Sequence, residues 1–198
     1  MVAMDGTAMH ASLGDLFTYG EAMDAGMSRR RLYALRDAGE LVALGGGLYR
    51  RADAPPGDLD LIEIAERVPR ATLCLETALA RHDLIDVIPD AIDVAVARGD
   101  HRPVLKAPVR LHLFDRATFD IGRDLIDVGA RRQLGIYSAQ RSLIDFVRLR
   151  HDQGAPLAWE ALRRWLGRPA SNPGQLLRMA QQFKGAETPL RAALEILL

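Results

Sequence analysis

Ala22-Met23-Asp24-Ala25-Gly26-Met27-Ser28-Arg29-Arg30-Arg31-Leu32-Tyr33-Ala34-Leu35-Arg36-Asp37-Ala38-Gly39 holds two helix ends and a tight turn within eighteen residues, and its reading decides the fold. Ser28 suits the N-cap of a helix that runs to about Ala38, where Gly39 ends it as a residue free to adopt positive φ. At about 100° per residue, Leu32 and Leu35 share an inward face, while Arg29, Arg30, Tyr33 and Ala34 project outward. Upstream, Thr18 and Glu21 form a capping-box pair that starts a shorter helix. Ala22 is small where two helices must cross, Gly26 supplies the turn between them, and Met27 seals the turn from below. Downstream, Leu41-Val42-Ala43-Leu44 and Leu48-Tyr49-Arg50 alternate as short strands joined by Gly45-Gly46-Gly47, with Arg51 following on the returning arm. Together they outline a winged helix-turn-helix.

Charge follows the same outline. The 198 residues carry 26 basic and 26 acidic side chains, and the zero sum conceals a segregation. Residues 1–26 hold Asp5, Asp15, Glu21 and Asp24 with no Lys or Arg, a net −4, whereas residues 27–52 hold six arginines against Asp37 and Glu40, a net +4. A compact basic patch on a helix of this length is the electrostatic footprint of a small DNA-binding module, with salt-sensitive affinity. Arginines near the start of such a helix reach base edges in the major groove, and arginine to guanine is the commonest specific contact. The DNA-binding residues expected are Ser28, Arg29, Arg30, Tyr33, Arg36, Arg50 and Arg51, the last two from a wing placed to meet phosphates or the minor groove.

Beyond the wing, Ala54-Pro55-Pro56-Gly57-Asp58 breaks both helix and strand and reads as a linker, which puts a boundary near residue 56 between a module at 1–56 and a second domain at 57–198. Helices are expected over 59–68 and 72–82. The period then shifts from 3.6 to 2 in Ile92–Ala97, Val109–Phe114 and Leu125–Val128, which predicts one small sheet. Ser138 opens a further helix through Arg150. Three more follow at 156–166, 174–183 and 189–197, the last with Thr188 as N-cap. The fold class is therefore α+β: a winged helix-turn-helix, then a small mixed domain with a helical carboxy-terminal tail.

Chemistry finds no foothold in this pattern. His10, His82, His101, His112 and His151 form no pair at metal-ligand spacing, and Asp93, Asp127 and Asp145 are expected to face solvent rather than to converge. Neither Lys106 nor Lys184 follows an acidic residue at nuclease spacing, and no phosphate loop, dinucleotide fingerprint or nucleophile elbow occurs. No catalytic residue, cofactor or metal is expected. Cys74, the sole cysteine, excludes an intrachain disulfide and reads as a small buried hydrophobe. With no apolar stretch of about eighteen residues and no basic-then-apolar leader, no membrane contact and a cytoplasmic location are the expectation.

The run Met27–Tyr33 through Gly39-Glu40-Leu41-Val42, then Gly47-Leu48-Tyr49-Arg50, resembles the amino-terminal domain of the AbiE-type antitoxins of bacterial toxin-antitoxin operons. Thr77-Ala78-Leu79-Ala80-Arg81-His82-Asp83-Leu84, the strand Ile92–Val96, and Tyr137-Ser138-Ala139-Gln140-Arg141-Ser142-Leu143-Ile144-Asp145 extend the likeness to about residues 12–152. The resemblance implies a non-enzymatic repressor of its own operon that binds inverted repeats in double-stranded operator DNA. It also implies an antitoxin that counteracts, directly or indirectly, a nucleotidyltransferase-like toxin. Two other readings stay open: a winged-helix transcriptional regulator whose second domain senses a small ligand, which a pocket with convergent polar groups would favour, and an enzyme with a DNA-targeting arm.

Overall fold

Thr18 caps a helix in the way its spacing predicts. In the computed structural model, which describes residues 13–54, 58–129 and 132–197, the Thr18 side chain accepts a hydrogen bond from the Glu21 amide and the Glu21 carboxylate accepts one from the Thr18 amide. Helix α1 (Tyr19–Asp24) follows, and α2 (Arg29–Asp37) opens on Ser28, whose hydroxyl accepts from the Arg31 amide at 3.2 Å. Both helices close on the same motif. Gly26 at φ +85° and Gly39 at φ +75° let the next amide turn back, Met27 to the Ala22 carbonyl and Glu40 to the Leu35 carbonyl.

Strands β1 (Leu16–Thr18), β2 (Leu41–Gly45) and β3 (Leu48–Arg51) form an antiparallel sheet with β3 in the middle. The β2–β3 wing was legible in sequence; β1 was not, because three residues carry no readable period. Phe17, Ala22, Met27, Leu32, Leu35, Leu41 and Tyr49 pack into one core, with the Phe17 and Tyr49 rings stacked at 6.2 Å. Leu32 is fully buried, so the opposite side of α2 is left to solvent.

The chain's contacts divide it into two compact units, residues 1–63 with 128–132, and residues 64–127 with 133–198. The expected boundary near residue 56 falls at 55–57, outside the described residues. The division at Glu63 lies inside α3 (Leu59–Arg67).

A second, five-stranded sheet is built from β4 (Thr72–Leu73), β5 (Ile92–Ala97), β6 (Val109–Phe114), β7 (Arg123–Gly129) and β8 (Arg132–Tyr137), in the order β6-β5-β4-β8-β7. Strands β5 and β6 run parallel although residues 98–108 between them contain no helix. The helix expected over 72–82 is corrected to α4 (Leu75–Arg81), because Thr72 and Leu73 are taken by the sheet. Leu75 passes from strand to helix at φ +46°, a costly conformation for a bulky residue that only the surrounding packing sustains. Strand β8 went unread because Leu134, Gly135, Ile136 and Tyr137 are all buried, so the alternation that marks a half-exposed strand is missing.

Helix α5 (Ala139–Arg148) opens on Ser138 and packs Leu143, Ile144, Phe146 and Val147 inward, followed by α6 (Arg150–Gln153), α7 (Ala155–Leu166), α8 (Pro173–Ala180) and α9 (Glu187–Leu197). Thr188 lies within α9 rather than capping it, since the helix starts one residue earlier at Glu187. These helices share a core with Leu79, Phe119, Tyr137, Leu162 and Leu190.

Two carboxylates expected at the surface lie inside. Asp93 is fully buried on β5 and accepts from His112 Nε2 at 2.8 Å and Arg110 Nη1 at 3.3 Å. Asp145 is buried on α5, where Arg141 Nε donates to one oxygen at 2.7 Å and Arg148 Nη2 to the other at 3.0 Å. Cationic partners supplied by the fold make both burials tolerable. Asp127 is exposed, as expected. Cys74 is buried, and desolvation pushes its thiol well above the usual range, which suits an inert packing residue.

Gly135 pairs with Thr72 where β8 runs parallel to β4. A Cβ there would lie 2.6 Å from Thr72 Oγ1 and 2.7 Å from Arg123 Nε, across the 2.8 Å hydrogen bond that joins these two groups. Gly135→Ala is therefore expected to destabilise the fold by about 1–3 kcal/mol through overpacking. Urea unfolding measures it, and a change below about 0.5 kcal/mol would mean that the strands separate without cost.

Candidate nucleic-acid interface

The outward face of α2 begins with three consecutive exposed arginines, Arg29, Arg30 and Arg31, in a first turn that contains no acidic residue. All three stand in the first turn, at the positive end of the helix dipole, where cationic residues are electrostatically unfavourable. Arg30 and Arg31 make no hydrogen bond or ion pair with any described residue. Tyr33 lies one turn on, half-buried, with the Arg29 guanidinium 5.4 Å from its ring centre and that of Arg36 at 4.9 Å. Positions 29, 33 and 36 follow the i, i+4, i+7 row of a helix, so the three side chains form a continuous cation-aromatic-cation ridge. Arg36 donates from Nε and Nη2 to one oxygen of its neighbour Asp37, at 2.9 and 2.7 Å, an exposed pair worth little in water.

Ser28 is exposed at the head of this ridge and already serves as the cap. Of the seven residues expected from sequence, Ser28, Arg29, Arg30, Tyr33 and Arg36 thus share one helix. Arg50 and Arg51 stand apart on β3, where successive side chains leave opposite faces of the strand. Arg50 Nη2 donates to the Ala54 carbonyl at 2.6 Å, and Arg51 donates in a fork to both oxygens of Asp53 at 2.9 and 2.7 Å. The wing's arginines are held by the chain that follows them, whereas those at the start of α2 are not. Arg31, which was not singled out from sequence, is exposed, as are Arg29 and Arg30, and its place in the Arg29-Arg30-Arg31 run was the available signal.

Glu21, the acid of the α1 capping box, also accepts from Arg132 at 3.1 and 3.2 Å. Burial works to raise its carboxyl, but hydrogen bonds from the Thr18 backbone and side chain, together with the Arg132 guanidinium, outweigh that and hold it below its ordinary value. Glu21 is in this way engaged at the first turn of α1 and stays ionised there.

Among the described residues no group of three or more His, Cys, Asp or Glu is placed to hold a metal ion, and no helix is long and apolar enough to cross a membrane. Residues 8–52, which enclose α1, α2 and the wing, match the family model described as "Transcriptional regulator, AbiEi antitoxin". The match covers the winged module only. No curated protein matches the chain.

Proposed function

Starting from a winged module of the AbiEi antitoxin regulators, we propose that this protein represses its own operon by binding inverted repeats in double-stranded operator DNA through α2. The observation that carries the reading is the exposed Arg29-Tyr33-Arg36 ridge with Arg30 beside it, set on a helix whose other side is sealed into the core. In this reading Arg29 and Arg30 reach base edges, Tyr33 holds the arginines extended and supplies apolar contact, and Ser28, Arg36, Arg50 and Arg51 meet phosphates. Engaging phosphate means that Arg51 trades its pairing with Asp53 for the backbone anion, an exchange of exposed ion pairs that costs little.

We further propose that the residues beyond the linker counteract a nucleotidyltransferase-like toxin, by contact or indirectly, and that the protein acts in the cytoplasm and not as an enzyme. Two measurements test the function together. Fluorescence anisotropy with duplex DNA from upstream of the gene should give binding whose logarithm falls with the logarithm of salt concentration at a slope of roughly −0.9 per phosphate contacted. Expression of the chain should also restore growth to cells that produce the toxin encoded beside it. Salt-independent or absent binding removes the repressor half, and failure to restore growth removes the antitoxin half.

A further inference from the structure

We propose that the second unit carries a binding site for a small phosphorylated ligand, centred on Arg141 and lying against the edge strand β6. A cavity of about 780 Å³ opens there, within the size range of metabolite pockets. Its walls bring together Arg98, Arg141, Arg148, Lys184 and His112, with Phe183 closing one side. Against these four permanent cations stand one lining carboxylate, Asp115, and Asp145 behind Arg141 and Arg148, so the walls keep a net charge of +2.

Arg141 is held as a binding group is held. It is 1 % exposed, its Nε donates to Asp145, and its Nη1 donates to the Thr118 and Ile121 carbonyls at 2.7 and 2.6 Å. Its guanidinium plane lies between the Tyr137 and Phe183 rings, each 4.2 Å from Cζ. No described residue accepts from Nη2, and Arg141 lines the cavity, which leaves this corner of the fork for a ligand. A buried arginine fixed on three sides and open on the fourth matches a phosphate oxygen in charge and geometry.

Two neighbours point the same way. Arg148 leaves a buried Nε without an acceptor, a costly omission in a folded interior and one that an incoming anion would relieve once the side chain turns toward it. His112 gives Nε2 to the Asp93 carboxylate, which only accepts, so the ring is fixed with Nδ1 left over at the cavity wall. Several convergent cations favour a dianionic phosphate over a single carboxylate. Phe114 and the leucines of β6 give the rest of the ligand an apolar wall.

Calorimetric titration of the full chain with inorganic pyrophosphate tests the site, with citrate as the carboxylate control. Pyrophosphate should bind once per chain and at least tenfold more tightly than citrate. Arg98→Ala and Lys184→Ala, both exposed and so compatible with folding, should each weaken it roughly tenfold or more. The Arg29→Ala/Arg30→Ala double variant should bind it as the parent does, which separates this site from the DNA-facing arginines. The proposal is overturned by absent binding, by binding lost with the Arg29/Arg30 pair and kept in the pocket variants, or by citrate binding equally well.

Discussion

Asp145→Ala is expected to lower the unfolding free energy by about 3–5 kcal/mol, the largest effect of any single substitution considered for this fold. The carboxylate is 1 % exposed and serves two guanidinium groups at once, Arg141 at 2.7 Å and Arg148 at 3.0 Å. Its removal leaves Arg141, itself 1 % exposed, as a buried charge whose remaining partners are two carbonyls. Those carbonyls lie in the 118–121 segment, which also supplies the Phe119 carbonyl to the Tyr137 hydroxyl at 2.8 Å, so the loss should spread from α5 to the end of β8. Guanidinium unfolding of parent and variant measures the change. A loss under about 1 kcal/mol would show that the pair is no stronger than a surface ion pair. Asp145→Asn, which keeps one acceptor while removing the charge, should fall between parent and alanine.

The second large effect is on DNA. Replacing Arg29 and Arg30 with alanine should weaken operator binding by about 1–3 kcal/mol each, so the double variant should lose on the order of a hundredfold in affinity. Both side chains are exposed and neither joins the module's core, so circular dichroism and the thermal midpoint should remain those of the parent. Anisotropy at fixed salt decides the matter. An affinity within twofold of the parent would remove α2 as the reading helix, whatever happens at the wing.

The module that carries this prediction was largely legible in sequence because its determinants are local. Thr18 with Glu21, Ser28 before three arginines, and Gly26 and Gly39 in the turns each act on neighbours within four residues, and Leu32 with Leu35 announces the inward face. Strands β1 and β4 escaped because two or three residues show no period, and β8 because it is covered on both sides. The burial of Asp93 was hidden for a different reason. Its partners Arg110 and His112 lie 17 and 19 positions along the chain and meet it only because β5 and β6 run parallel. For the same reason the cavity around Arg141 has no signature in the run Ser138–Asp145, since its walls come from β6, the segment after it, α5 and residues 182–184.

The first turn of α2 places like charge against like, three arginines in a turn whose amides are themselves electropositive, with no acid in that turn to relieve them. The unliganded module is consequently kept under electrostatic tension at the end that would meet a duplex. On the proposed reading, a backbone phosphate arriving there would both gain a partner and relax that tension, so part of the affinity would reside in a discomfort already present in the free protein. Helix stability and grip on a polyanion are opposed at these three positions: an acid introduced there would calm the helix and blunt its hold.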